Sequence, residues 1–318
     1  MDKIMKVIKY IILTHGGGRF GNQLINYLHL TACGLEYNNI RIKQLPLYDY
    51  LNPINENSVV SDGVIVPLLI VSDAKRNRMP KLIKRIFQNS SIRLLHIFGY
   101  LSPSQSSIII GEMGNNIGYL AGNKTPAFTF SDGFIKSLNG KAILAGWGFR
   151  NWNLVDKWRG VIAANLLNTL KLKDSGVNGI TLGVHIRGTD FKEHADGQLY
   201  FNDQLWVDSV KNIREKIKVD KVVFMSDDVK QWNDITGGHK DYYISKGSAG
   251  KSGDMYDAFS DLLHCDYILT AGSTFALMAA WIAEIGVIDV SATSTNKLIK
   301  VMKYSEWSQY DNFSLNWK

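Results

Sequence analysis

Cysteine is scarce in this 318-residue chain, which has only Cys33 and Cys265. Two thiols cannot build the framework of a disulfide-rich secreted domain, so a reducing compartment is expected, with both cysteines buried in helices. Six prolines against 28 glycines exclude a fibrous or low-complexity chain. No internal repeat is present. Long apolar runs are missing too, and nothing approaches the ~18 uncharged residues that a membrane span requires. The apolar stretch at residues 6–14, KVIKYIILT, is interrupted by Lys9 and runs into glycines. It reads as a first strand and not as a signal peptide. Together these absences predict a cytoplasmic protein that is at most peripheral to a membrane.

Acid is absent from one segment. Between Lys75 and Arg93 stand seven Lys and Arg residues and no Asp or Glu, in a chain with 36 basic and 29 acidic residues and a net charge of +7. Such a balance favours anionic partners. Leu82, Ile83, Ile86 and Phe87 fall at helical spacing beside Lys81, Lys84 and Arg85. The segment therefore suits either a helix packed on its own domain or peripheral contact with an anionic membrane, the latter being expected. Aromatics do not interleave with its charges, which argues against a nucleic-acid platform.

What is present is alternation of strands and helices. The strand at 6–14, a turn at glycines 16–18 and a helix beginning near Gly21, with apolar positions Leu24, Leu28 and Ala32, form one α/β unit. Residues 40–135 carry little periodicity. Strands are expected over 141–149, 179–187, 219–226, 241–245 and 266–272. Helices are expected over 153–172 and 254–265, with another after Ser273. This order predicts a parallel sheet covered on both faces, with a domain boundary near 160–175.

Three strand ends carry polar motifs. His185-Ile186-Arg187-Gly188-Thr189-Asp190 ends the first strand of the C-terminal half. Arg187 can grip a diphosphate through its planar fork, and Asp190 can orient it or act as a base; a surface ion pair is the alternative. Ser226-Asp227-Asp228 ends the next, where a carboxylate can accept from a purine or ribose, or can cap a turn. Ser273-Thr274-Phe275 opens a helix, whose N–H groups suit phosphate; simple capping by Ser273 is the alternative. In open α/β sheets, ligands gather at such strand ends.

Two decoys are set aside. GSAGKS at 247–252 imitates a phosphate-binding loop, but Ser245 stands where the first glycine belongs. It is expected to be a mobile loop. HGGG at 15–18 imitates an esterase oxyanion loop, but no GxSxG accompanies it.

HIRGTD, FMSDD and the run from Asp254 through CDYILTAGSTFALMAAW resemble the C-terminal motifs of the α-1,2-, α-1,6- and protein O-fucosyltransferases. Gly18-Arg19-Phe20-Gly21-Asn22-Gln23 resembles the GRFGNQ of the protein O-fucosyltransferases and the GGLGNQ-type start of the bacterial α-1,2 group. AGWGFRNWN at 145–153 resembles the Gly-aromatic segment of that bacterial group. The resemblance implies a GT-B-like α/β fold, two Rossmann-like domains facing a cleft, with an acceptor-side domain over 1–165 and a GDP-sugar domain over 166–318. It implies metal-independent, inverting transfer of fucose from GDP-β-L-fucose to a glycan or lipid-linked acceptor in bacterial surface polysaccharide synthesis, without a cofactor. Another GDP-sugar, or a non-catalytic glycan- or nucleotide-binding protein, is the alternative.

Carried over by residue, the resemblance implies Arg187 on the β-phosphate, His185 and Asp228 on guanine, and Ser273, Thr274 and Phe275 on the phosphates. Arg19 and Asn22, flanked by Gly18 and Gly21, would reach the diphosphate and the reacting sugar. Many members have a second Arg where this chain has Gly188, which puts one phosphate or acceptor contact in question. Asp190, Glu193, His194 and Asp196 are candidate bases. No DxD with further ligands is present, and adjacent Asp227 and Asp228 are poorly spaced for one metal ion.

Overall fold

The computed structural model describes residues 9–15, 19–37, 40–44, 51–55, 59–60, 64–65, 68–71, 106–108, 128–129, 132–137, 141–145, 149–170, 179–189, 191–192, 197, 200–230, 232–290 and 301–302. The chain divides into two compact units, Met1–Asn165 and Leu166–Lys318.

In the first unit, β1 (Lys9–His15) leads into α1 (Phe20–Glu36) and β2 (Ile40–Gln44). Short elements follow: β3 (Leu51–Asn55), β4 (Val59–Val60), β5 (Val64–Ile65), β6 (Leu68–Val71), β7 (Ser106–Ile108), β8 (Phe128–Thr129) and α2 (Asp132–Ser137). The unit continues through β9 (Lys141–Ala145), β10 (Phe149–Arg150), α3 (Trp152–Lys157) and α4 (Arg159–Leu170), within which the unit boundary falls. The main sheet has the order β2-β1-β9-β7 and is parallel throughout. Ile11 and Leu13 of β1 meet Leu30 and Cys33 of α1, with Ile40 and Ile135, in one apolar cluster. Leu24, Leu28 and Ala32, which the spacing placed on one helical face, are all fully buried. The expected single helix over 153–172 is instead two, α3 and α4, separated at Trp158.

The second unit contains β11 (Thr181–Ile186), α5 (Asp203–Arg214), β12 (Lys221–Ser226), α6 (Trp232–Thr236), β13 (Tyr242–Ile244), α7 (Met255–Leu263), β14 (Tyr267–Thr270), α8 (Thr274–Ala283), β15 (Gly286–Asp289) and β16 (Val301–Met302). Its sheet runs β13-β12-β11-β14-β15-β16, parallel except for the last pair. The chain builds outward from β11 through β12 to β13, then crosses back to lay β14 on the other side. That reversal is the switch point of a doubly wound, Rossmann-like α/β sheet.

All six residues of β11 are buried, as the expected sheet covered on both faces requires. A central parallel strand is covered on both sides. Leu182, Val184 and Ile186 pack with Trp206, Val210 and Ile213 of α5, together with Phe224 and Trp232. On the opposite face, a Cβ at Gly183 would stand 2.8 Å from Cys265 Sγ and 3.1 Å from Leu262 Cδ2. Glycine there allows the chain after α7 to close on the sheet. Each fully buried Leu, Val or Ile contributes roughly 1.5–3 kcal/mol of apolar transfer. Both thiols are buried and free, and burial pushes each up in pKa; Cys265 lies just beyond α7, not within a helix.

Candidate donor site at the sheet switch point

His185 and Arg187 close β11 at the switch. His185 is 4% exposed. Its ring stacks on Phe275 in the first turn of α8, with centroids 5.2 Å apart and planes 25° apart. Phe275 in turn meets Phe259 of α7 edge-on at 4.9 Å. Since His185 is in register with Thr270, this stack bridges the two strands flanking the switch. Burial pushes His185 down to about 4, with Asp227 opposing that shift and Arg187 adding to it. The ring is neutral at pH 7, and its buried Nδ1 has no hydrogen-bond partner among the described residues.

Arg187 is held from the neighbouring strand. Its guanidinium lies 2.6 Å from Asp227 Oδ2, with the two side chains only 14% and 21% exposed. Asp227 also builds the turn that follows β11. Its Oδ1 accepts from Gly188 N at 2.8 Å and Thr189 N at 3.4 Å, and its Oδ2 accepts from Thr189 Oγ1 at 2.6 Å. Burial acts to raise the Asp227 carboxyl, but these hydrogen bonds and the Arg187 charge outweigh it and hold it below the usual range. The carboxylate is thus committed to fixing Arg187 and its turn.

Asp228 points into a different contact. Its backbone N–H donates to Ser226 Oγ at 3.0 Å, and its Oδ2 accepts from Lys192 Nζ at 3.1 Å. Lys192 Nζ also stands 5.5 Å over the Tyr200 ring. Lys230, the next cation after β12, bonds Asp203 Oδ1 at 2.8 Å. Among the described residues, no group of three or more His, Cys, Asp or Glu is placed to hold a metal ion.

Ser273 occupies the N-cap position of α8, as its place after a strand predicts, but its side chain makes no capping bond and the first turn carries no acid. Its backbone N–H donates instead to Thr270 Oγ1 at 3.3 Å. The start of α8 at Thr274 therefore opens on N–H groups that the side chain of its own cap does not take. A fixed guanidinium and a helix start at one end of one sheet offer donors to an anion, and the His185–Phe275 stack offers an aromatic wall.

The 245–254 segment is a closely packed turn and not the mobile loop expected. A Cβ on Gly247 would fall 2.2 Å from Asp254 O and 2.3 Å from Ala258 N. Ala249 N donates to Ser226 O at 2.9 Å. Asp254 caps α7 by a reciprocal box with Asp257.

In the first unit, Arg19 is the N-cap of α1 without a side-chain capping bond; Gly21 is buried and Asn22 half-buried in the first turn. Gly18, Asp190, Glu193, His194, Asp196 and the basic segment 75–93 lie outside the described residues. Sequence reasoning missed the positioning roles of Asp227 and Thr189. A carboxylate directly after a central strand, next to one ending in Arg, is the signal that pointed there.

No protein-family model and no curated protein sequence matches the chain. Among solved structures, the chain is similar to POFUT1 in complex with GDP, at 13% identity over 88% of this chain and 96% of that one, with a TM-score of 0.46. It is similar to the fucosyltransferase NodZ from Bradyrhizobium at 13% identity, covering 89% of this chain and 95% of that one, TM-score 0.43. A third likeness is to the E. coli heptosyltransferase WaaC with ADP, at 10% identity, 88% and 86% coverage and TM-score 0.42. What the site can do follows from its own groups.

Proposed function

We propose that the chain is an inverting, metal-independent glycosyltransferase that moves fucose from GDP-β-L-fucose onto a hydroxyl of a glycan or lipid-linked acceptor. The observation that carries this reading is the convergence at the switch between β11 and β14: Arg187 clamped by Asp227, and His185 stacked on the opening turn of α8. In this reading the second unit holds the donor. Arg187 and the start of α8 take the diphosphate, and the His185–Phe275 wall borders the guanine. When the bond from the anomeric carbon to the diphosphate breaks, negative charge grows on the leaving GDP. Donors already fixed in place stabilise that charge without reorganising. Residues 1–165 contribute the acceptor side, and Arg19 and Asn22 are the residues there that the resemblance singles out. An α-1,2 linkage in bacterial surface polysaccharide is the finer form of the proposal.

Thermal unfolding with nucleotides tests it. GDP and GDP-fucose should stabilise the fold, by about 2.7 kcal/mol at a hundredfold excess over the dissociation constant. UDP-glucose should not. Equal stabilisation by UDP-glucose would exclude the GDP assignment, and binding of GDP-fucose without slow release of GDP would favour a non-catalytic nucleotide-binding protein.

A further inference from the structure

Three cation–carboxylate pairs stand beside the switch, and they differ in what holds each cation. Arg187 is 14% exposed and its partner Asp227 also ties down Gly188 and Thr189. Lys230 is 6% exposed against Asp203. Lys192 is 50% exposed, and its partner Asp228 is 28% exposed. Lys192 is thus the cation of the three that solvent and a solute can reach. It is held on two sides, by the Asp228 carboxylate at 3.1 Å and by the face of Tyr200 at 5.5 Å. An ammonium has more than one N–H donor, and Asp228 accepts one of them.

Position 188 explains why this cation comes from farther along the loop. A Cβ there would stand 2.6 Å from Asp228 Cβ and 3.0 Å from its Oδ2. Asp228 fills the space that a side chain at 188 would need. The same residue that closes that position holds Lys192. The Arg187 turn therefore adds no second cation of its own at 188, while Lys192 stands on the neighbouring carboxylate with donors that no other described residue takes.

We propose that Lys192 is a second diphosphate-binding residue of the donor site, and that Asp228 is its positioning residue, not a reader of guanine. This inference rests on the donor reading of the same site. Lys192 keeps Asp228 on one donor and turns the others to the terminal phosphate of a nucleoside diphosphate. A monophosphate lacks that group.

Titration calorimetry on the full chain with GDP and GMP tests the assignment, using wild type, Lys192→Gln, Lys192→Arg and Asp228→Asn. Lys192→Gln should weaken GDP binding about tenfold or more, which is about 1.4 kcal/mol, and leave GMP within about twofold. Lys192→Arg should restore most of the GDP affinity. Asp228→Asn should weaken GDP by less than Lys192→Gln does. Unchanged GDP affinity in Lys192→Gln, or equal losses for GDP and GMP, would overturn the assignment. Failure of wild type to bind GDP, ADP or UDP would remove the donor reading together with it. If ADP or UDP binds as GDP does and suffers the same loss, the guanine preference is wrong and Lys192 stands.

Discussion

In each unit the chain lays strands on both sides of its first one, and the two switches are furnished differently. In the first unit β1 lies between β2 and β9, and α1 follows β1 with Arg19 as its N-cap. In the second, β11 lies between β12 and β14, and α8 follows β14. At the second switch the charged groups complete one another: Asp227 accepts from three neighbouring groups besides pairing with Arg187. Near the start of α1, by contrast, Asn22 Oδ1 and both amide atoms of Asn26 are buried without a hydrogen-bond partner among the described residues. Asn26 is 0% exposed. One switch is organised for charge before any ligand arrives. The other carries polarity that the described residues leave unmet, at a cost of about 1–3 kcal/mol for each such group.

Removing the centre of the organised switch has the largest expected effect. Arg187→Ala should cost roughly 3 kcal/mol or more in transition-state stabilisation, as for the loss of a main oxyanion donor. Lysine should restore only part, having no bidentate fork. Single-turnover transfer measures the loss. Near-normal turnover by the alanine variant would move the chemistry away from this switch and erase the contrast between the units.

Acid should break the same switch next. His185 is depressed to about 4 by burial, while an unfolded His titrates near 6.5. Between those values the unfolded chain binds more protons, so stability falls as pH falls through the window. The loss is on the order of 3 kcal/mol when the window has been crossed. Asp227, held low by its hydrogen bonds and Arg187, adds a further loss below the ordinary carboxyl range. Urea unfolding from pH 7 to 4.5 should show the decline, and His185→Gln should flatten it. An unchanged slope in that variant would assign the decline to other groups.

A smaller effect is expected at Gly188. Its Cβ position is occupied by Asp228 at 2.6 Å, so Gly188→Ala should destabilise by roughly 1–3 kcal/mol through overpacking. Equal stability in chemical denaturation would mean that the Asp228–Lys192 arm gives way easily.

The second unit was legible because its signals agree. Strands of four to six residues such as β11, β12 and β14 alternate with helices whose caps and apolar faces are visible, as in Asp254 before α7. Strand ends then place Arg187, Asp227 and Ser273 at one edge. What the sequence could not show was the partner of each group. Asp227 and Asp228 are adjacent and chemically alike, and only the register of β12 against β11 decides that one clamps Arg187 while the other holds Lys192. Between residues 40 and 135, elements such as β4, β5 and β8 are two residues long. A strand that short leaves no period to read.

The smallest prediction bears on the unmet polarity of α1. Leucine has the branched outline of asparagine, with two methyl groups where the amide carries its oxygen and nitrogen. If Asn26 is buried without a partner, Asn26→Leu removes a desolvated polar group and returns apolar contact, so the free protein should gain about 1 kcal/mol. Denaturant unfolding of the ligand-free chain measures this directly. A loss of similar size would mean that the amide is hydrogen-bonded in solution, and the first switch would then be as well satisfied as the second. The transfer assay completes the argument, because removing polarity that serves no purpose should leave turnover unchanged. A more stable variant that transfers poorly would show instead that α1 keeps Asn26 for the reaction, at the expense of its own stability.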